Sequence, residues 1–361
     1  MNAVKPTLWV NEAIARRNIR NMANKARRNA VEFKPHFKTH QSAEVGEWFK
    51  EEGISSITVS SVDMANYFAA AGWKNITIAF PVNLLQLDEI DKLAKTTEVT
   101  LLVVDGICVE RIGKIANPVS LMVEIDAGYH RSGVSIDAYE EIEQIIDKIR
   151  GTHHHFLGFY CHSGNSYYGK KREEVFSLFN KVHPKLLKLK NDFVAHEPKL
   201  SIGDTPTCSI IESFEGVDSI HPGNFVYYDV MQTNIGSCEN SDVAVAVECP
   251  VVMKDELRNE LVIYGGGVHL SKESLDVNED KIFGLVAREK QDNGWVPLPG
   301  TYVKSLSQEH GIISSTPEIV KNITPGDTLF VIPVHSCMTV DCMQVGYTLD
   351  NQTLTQINKL S

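Results

Sequence analysis

The chain lacks any run of about 18 apolar residues, so no membrane-spanning helix is expected. It has no GxxxxGK(S/T) and no GxGxxG, which disfavours nucleotide phosphates as ligands. No basic stripe stands against a net charge of −11, so a nucleic-acid backbone binder is not expected either. The first residues, Met1-Asn2-Ala3-Val4-Lys5-Pro6-Thr7, carry no signal-peptide apolar core. The seven cysteines are scattered and odd in number, which suits reduced thiols in a soluble, cytoplasmic enzyme and not a disulfide framework. Internal repeats and low-complexity linkers are missing as well. What remains is ordinary globular composition, 43% hydrophobic and 22% charged, spread over 361 residues. That length is too great for one small core and calls for a large barrel or two domains.

A regular rhythm fills the first 235 residues or so. Apolar, β-branched runs recur at 30–33, 57–60, 76–80, 99–104, 119–125, 155–160, 200–202 and 217–220. Helical patterns separate them, at 42–52, 62–71, 84–95, 107–115, 135–150 and 173–190, after a first one at 11–28. The clearest has Ile142, Ile145, Ile146 and Ile149 on one face and Ser135 as its N-cap. Eight strands alternating with helices predict an α/β fold, a (β/α)8 TIM-type barrel over residues 12–235. Beyond it, strand-like runs at 242–249, 251–254, 260–264, 281–287, 312–315 and 328–333 predict a mostly-β second domain. This domain takes residues 1–11 and 236–361.

In such a barrel, chemistry sits where strands end and loops begin. After the first strand comes Lys34-Pro35-His36-Phe37-Lys38-Thr39-His40, crowded with titratable groups. An amine held there among other cationic groups is suited to act as nucleophile or proton carrier, and Lys38 is the candidate; the alternative is a solvated basic loop. Asp126-Ala127-Gly128-Tyr129-His130-Arg131-Ser132-Gly133 follows the fifth strand, and Tyr160-Cys161-His162-Ser163-Gly164-Asn165-Ser166-Tyr167 the sixth. Gly203-Asp204-Thr205-Pro206-Thr207 follows the seventh and precedes a helical stretch, so its N–H groups and hydroxyls suit an anion. Gly223 and Asn224, after the eighth, could add donors. An ordinary turn with a threonine cap is the plainer reading of that loop.

His335-Ser336-Cys337 lies at the end of an apolar run. On an extended strand an i, i+2 pair faces one side, so imidazole and thiolate could share an ion, with zinc the natural choice. Two protein ligands leave positions open, which fits a Lewis acid better than a structural ion. A buried cysteine beside a satisfied histidine is the competing reading. Asp341 and Cys342 are weaker candidates. His153-His154-His155 is read as the start of the sixth strand, and Gly265-Gly266-Gly267 as a tight turn or close backbone approach.

Taken in order, these stretches resemble the fold-type III pyridoxal-phosphate enzymes, the alanine racemase-like barrels. The branch they resemble contains D-serine dehydratase and D-threonine aldolase. Pro35–His40 is similar to its Schiff-base segment, Asp126–Gly133 to its fifth-strand motif, Gly203–Thr207 to its phosphate loop and His221–Asp229 to its eighth-strand segment. Gln308-Glu309-His310-Gly311 and His335-Ser336-Cys337 are similar to its C-terminal signatures. The resemblance implies pyridoxal 5'-phosphate on Lys38, with Arg131 and Tyr160 lining the ring or its oxygen. It further implies Tyr167 facing the ring nitrogen, and Gly203, Thr205, Gly223 and Asn224 holding the phosphate. Zinc, or another divalent metal, falls to His335 and Cys337. Where alanine racemases place an arginine against the ring nitrogen, this chain has His221.

The activity implied is that of a lyase acting on a small D-β-hydroxy amino acid. D-Serine dehydratase, yielding pyruvate and ammonia, comes first, with Lys38 as α-proton base and the metal assisting loss of the β-hydroxyl. A metal-dependent D-threonine or 3-hydroxy-D-aspartate aldolase is the alternative, and a non-catalytic pyridoxal-phosphate carrier a more distant one. A homodimer is implied by the resemblance alone.

Overall fold

A computed structural model of the chain describes residues 3–277, 280–288 and 294–357. Parts of the expected second domain, residues 1–2, 278–279, 289–293 and 358–361, lie outside the described residues. The chain forms two compact units. One comprises Asn21–Lys38 and Gly46–Gly223; the other comprises Met1–Arg20, Thr39–Val45 and Asn224–Ser361. They interleave along the chain, where the sequence reading draws boundaries after residues 11 and 235. Among the described residues no helix is long and apolar enough to cross a membrane.

The first unit is the eight-stranded parallel barrel. Its strands are β1 (Glu32–Phe33), β2 (Ser56–Val59), β3 (Asn75–Pro81), β4 (Glu98–Val103), β5 (Ser120–Asp126), β6 (His155–Cys161), β7 (Lys199–Ile202) and β8 (Ser219–Ile220). They run β1-β8-β7-β6-β5-β4-β3-β2 in hydrogen-bonded order. Burial on both faces explains their continuous apolar runs. A parallel bridge between His36 and Thr58 closes the ring beyond the end of β1. There Phe37 N donates to Thr58 O at 2.8 Å and Thr58 N to Pro35 O at 2.9 Å. Phe37 is fully buried, its ring 4.9 Å from Phe49, 4.9 Å from Phe68 and 5.1 Å from Trp73. This aromatic cluster anchors the segment that carries Lys38.

One helix differs from expectation. Ser135 is not an N-cap: Val134–Ser135 is a short strand paired with Ile125–Asp126 of β5, and the helix is Tyr139–Arg150. The loop after β5 folds back on its own strand, so Ser135 is committed to the ladder before the helix can begin.

Gly158 is a glycine of necessity. Its φ is +140°, and a Cβ there would stand 2.0 Å from Lys199 O on β7. Gly158→Ala is expected to cost about 3 kcal/mol or more through backbone strain and overpacking. A lowered urea midpoint would register it.

The second unit is built on a nine-stranded sheet. Thr7–Val10 pairs antiparallel with Val245–Asp255 (Leu8↔Val247) and parallel with Val345–Thr348 (Leu8↔Gly346). The expected strands 242–249 and 251–254 are one long strand, Val245–Asp255, whose register slips between Val251 and Met253. The run 281–287 divides into Asp280–Ile282 and Gly284–Ala287. Pro297–Leu306, rich in turn-forming residues, is a strand the sequence pattern conceals. Gly265–Gly267 is a close approach, since a Cβ on Gly266 would meet Gln308 O at 2.3 Å.

The extended geometry expected for His335 and Cys337 is not what forms. The apolar strand Thr328–Pro333 ends first, and Ser336–Met343 is a helix. His335 is its N-cap residue and Cys337 lies in its first turn. Pro333 ends the strand's pairing, and Ser336 N and Oγ find an acceptor in buried Asp229 (2.9 and 3.2 Å).

Candidate active site

The C-terminal ends of the barrel strands bring together Lys38, Arg131, Tyr160, Tyr167, Gly203, Thr205 and Gly223 on successive loops. Lys38 follows the bridge that closes the barrel, and its backbone N–H donates to His36 Nδ1 at 3.3 Å. His36 is buried. Its pKa is held well below the usual imidazole value by burial, then by the charge of Lys38, with His221, His162 and Arg131 adding to it. His162 is lowered to about 3 by burial, then by Lys38 and Arg131. Its Nδ1 donates to the Gly203 carbonyl, which leaves Nε2 as an acceptor. Two neutral imidazoles thus accompany two cations. Sequence reasoning left His36 unassigned and passed over His162, although His162 stands two residues after Tyr160.

His221 serves the barrel interior. Thr58 Oγ1 donates to Lys34 O at 2.9 Å, so at 2.6 Å it accepts from His221 Nδ1–H. His221 Nε2 then accepts from Ser219 Oγ at 3.0 Å. Both nitrogens are spent, and burial keeps the ring neutral. Tyr160 stands edge-on to it at 5.1 Å. Its phenol is pushed above the ordinary value by burial, then by the charge of Glu124.

The loop after β7 has the makings of an anion cradle. A Cβ at Gly203 would lie 3.0 Å from His221 Cβ and 3.1 Å from Tyr160 Oη, so only glycine leaves that space open. Asp204 caps the helix Thr205–Ile210: its Oδ1 accepts from Thr207 N at 2.7 Å and from Ser166 Oγ at 2.8 Å. Thr205 N donates to Tyr167 Oη at 3.2 Å, which places the Tyr167 hydroxyl on this loop.

Burial raises Asp204 from 3.8 to about 6 despite those bonds. Because the folded value exceeds the unfolded one, the folded protein binds this proton more tightly. Its stabilising effect is complete below about pH 4 and is lost as pH rises through about 6. Asp204→Asn keeps a capping side chain. Its cofactor-free protein is expected to lose that slope, on the order of 2–3 kcal/mol, in urea melts from pH 4 to 7.

In the β-rich unit, Cys337 Sγ lies 3.2 Å from Thr39 Oγ1 and 3.6 Å from Asn224 Nδ2. Asn224 Nδ2 also donates to Asp229 Oδ2 at 2.6 Å and Ser336 Oγ at 3.0 Å, so its side chain belongs to this cluster. His335 Nδ1 is 3.4 Å from Asp229 Oδ2, is buried and makes no hydrogen bond. Burial lowers the pKa of His335, but the negative charges of Cys337 and Asp229 outweigh it and raise it well above the usual value.

This donor set fits a divalent ion: an imidazole with an orphaned buried nitrogen, a thiol, and a carboxylate at orienting distance from the imidazole. No group of three or more potential ligands exists among the described residues, so His335 and Cys337 would be the two protein ligands, with Asp229 behind the imidazole. Gln41 Nε2 donates to Asp341 at 2.7 Å, which engages that weaker candidate elsewhere. For pyridoxal phosphate, the space that glycine leaves open at Gly203 would admit the phosphate group, and Lys38 would supply the amine.

Comparison with known families bears on the fold that carries these residues. The family model for the alanine racemase N-terminal domain matches residues 10–230. The chain belongs to that family. A second model, a putative serine dehydratase domain, matches residues 244–349 of this alanine racemase-like chain. D-Serine dehydratase of Dictyostelium discoideum is 27% identical over 97% of this chain and 94% of its own length. D-threo-3-hydroxyaspartate dehydratase of Delftia sp. is 26% identical over 90% of this chain and 88% of its own. The solved structure of the Delftia enzyme aligns with a TM-score of 0.90 at 24% identity, covering 98% of this chain and 97% of that one. D-Threonine aldolase of Filomicrobium marinum aligns at 0.82 with 17% identity, over 98% and 93%. These structures share the alanine racemase-like fold, barrel plus β-rich domain.

Proposed function

We propose that this protein is a pyridoxal-phosphate- and divalent-metal-dependent lyase that dehydrates small D-β-hydroxy amino acids. D-Serine is its first substrate, and pyruvate and ammonia are its products. The observation that carries the reading is Lys38, two residues beyond the bridge that closes the barrel, beside His36 and His162, which burial and then the charges of Lys38 and Arg131 keep neutral. Pyridoxal phosphate, when bound, supplies an electrophilic aldehyde and a ring that withdraws electrons from the substrate's Cα.

The chain's own residues do the rest. Lys38 Nζ would anchor the cofactor and, as a free amine, would take the α-proton. Arg131 and Tyr160 would line the ring, while Gly203, Thr205, Gly223 and Asn224 would hold the phosphate. Tyr167, bonded to Thr205 N, orders the phosphate loop and presents a neutral phenol to the ring. His335 and Cys337 would hold the metal, and zinc would suit one imidazole and one thiolate. That ion supplies a Lewis acid for the departing hydroxide. A homodimer completes the proposal, to be read by sedimentation.

Retro-aldol cleavage is the second reading, favoured by a 27% identical D-threonine aldolase of Arthrobacter sp. that matches 47% of this chain and 46% of its own length. Purified protein incubated with D-serine and with D-threonine, with and without a chelator, separates the two. Pyruvate from D-serine, abolished by the chelator, is the expected result. Glycine and acetaldehyde from D-threonine, with no pyruvate from D-serine, would replace dehydratase by aldolase.

A further inference from the structure

Lys25 is a buried cation that none of the roles above employs. It lies in the last turn of the helix Glu12–Arg28 and is 7% exposed. Its Nζ donates to Cys208 O at 3.2 Å, Ser209 O at 2.7 Å and Ile211 O at 2.9 Å. These carbonyls end the helix Thr205–Ile210, which starts inside the loop proposed to hold the phosphate. Glu212 Oε1, on an exposed side chain, lies 3.2 Å from the same nitrogen. An ammonium has three donors and no lone pair, so three carbonyl oxygens match its full capacity. Burying a charge is costly unless it is fully bonded, and lysine is rarely buried without such bonds.

The helix that receives Lys25 is too short to hold itself. It has six residues, and a segment of that length is not stable alone in water. Its backbone bonds include Cys208 N to Asp204 O at 3.2 Å and Ile211 N to Thr207 O at 2.9 Å. Any helix leaves carbonyls at its C-terminal end without internal partners. At the N-terminal end the segment is fastened by Asp204, which accepts from Thr207 N and Ser166 Oγ. At the C-terminal end it is fastened by Lys25 and by Asn29, one turn further along the chain. Asn29 Nδ2 donates to Glu212 O at 3.1 Å, and its Oδ1 accepts from Phe214 N at 3.1 Å. A cation at a helix C-terminus also complements the helix dipole. Burial lowers the pKa of Lys25, and the charge and hydrogen bond of Glu212 oppose it.

We propose that Lys25 is a positioning residue for the phosphate loop. By holding the carbonyls of residues 208, 209 and 211 it fixes the Thr205–Ile210 helix, and with it Gly203 and Thr205, before the cofactor arrives. This rests on the reading of that loop as the holder of the phosphate.

Lys25→Met keeps the length of the side chain and removes all three donors. Two measurements on the apoprotein decide. The first compares pyridoxal phosphate with pyridoxal, which offers Lys38 the same aldehyde and no phosphate. K25M is expected to bind pyridoxal phosphate about 10-fold more weakly and pyridoxal as the wild type does. Wild-type affinity for pyridoxal phosphate would overturn the proposal. Equal weakening of both ligands would overturn it too, since a merely structural lysine does not single out the phosphate. The second is amide hydrogen exchange, which in the wild type needs no variant to fold. The Cys208 and Ile211 amides are expected to be protected without cofactor, and to lose that protection in K25M. Free exchange of both in the wild type until pyridoxal phosphate binds would overturn the proposal, because the cofactor and not Lys25 would then order the helix. If the wild type binds pyridoxal phosphate no better than pyridoxal, the phosphate reading itself fails. That outcome is distinct from a K25M protein that keeps the wild-type preference, and the exchange comparison still decides whether Lys25 holds the helix.

Discussion

Lys38→Ala is expected to lower kcat/KM with D-serine by about 10⁴-fold or more, because it removes both the amine that anchors the cofactor and the base that takes the α-proton. The fold should survive the change. The segment is held by Phe37 among Phe49, Phe68 and Trp73 and by the backbone bonds to Thr58, none of which involves the lysine side chain. Circular dichroism and the urea midpoint should therefore match the wild type while turnover disappears. Borohydride treatment gives a second readout. Reduction of wild-type protein with pyridoxal phosphate should add the cofactor's mass to the peptide containing Lys38, and the variant should gain none. A variant that keeps turnover, or a label that maps to another lysine, would remove Lys38 from the centre of the site.

The next largest effect is expected at the histidine and cysteine of the β-rich unit. His335→Ala and Cys337→Ala should each reduce pyruvate formation by about 10²-fold or more, since a Lewis acid at a departing hydroxide contributes several kcal/mol. Bound metal should fall in parallel, from near one ion per chain to traces by elemental analysis. Cofactor content should stay unchanged, because Lys38 and the Gly203 loop do not depend on the ion. The arrangement explains why neither residue can be spared. Cys337 Sγ lies beside the Thr39 hydroxyl and the Asn224 amide, and His335 Nδ1 lies 3.4 Å from the Asp229 carboxylate. Full activity in metal-stripped protein would refute the role assigned to the pair.

The candidate site was legible in unequal parts. Lys38 and the loops at 126–133 and 203–207 stood out because each follows an apolar run with polar or glycine residues at a strand end, and Arg131 within its loop came from the family resemblance. His162 did not, because one histidine in a polar loop carries no local signal. Its bond to the Gly203 carbonyl joins residues 41 apart in sequence. Lys25 was hidden more thoroughly, as one basic residue among several on an amphipathic helix. Asn224 was expected to hold phosphate, and nothing in the sequence signalled that its Nδ2 bonds Asp229 and Ser336, the latter 112 residues away. The helical turn at Ser336–Met343 was missed because the apolar strand before it gives no warning where pairing stops.

Some properties of this protein follow from local order alone. The alternation of β-branched runs with amphipathic helices dictates a parallel barrel, since such strands are buried on both faces and need helical crossovers. The same periodicity locates the strand ends, and with them the loops that carry chemistry. Other properties depended on the tertiary structure. Which nitrogen of His221 donates, which carbonyls receive the Lys25 ammonium and which partners surround Cys337 are all matters of long-range contact. Hydrogen bonds and charges act over a few ångströms of space, whatever the distance along the chain, and only the closed barrel and the folded sheet set those distances.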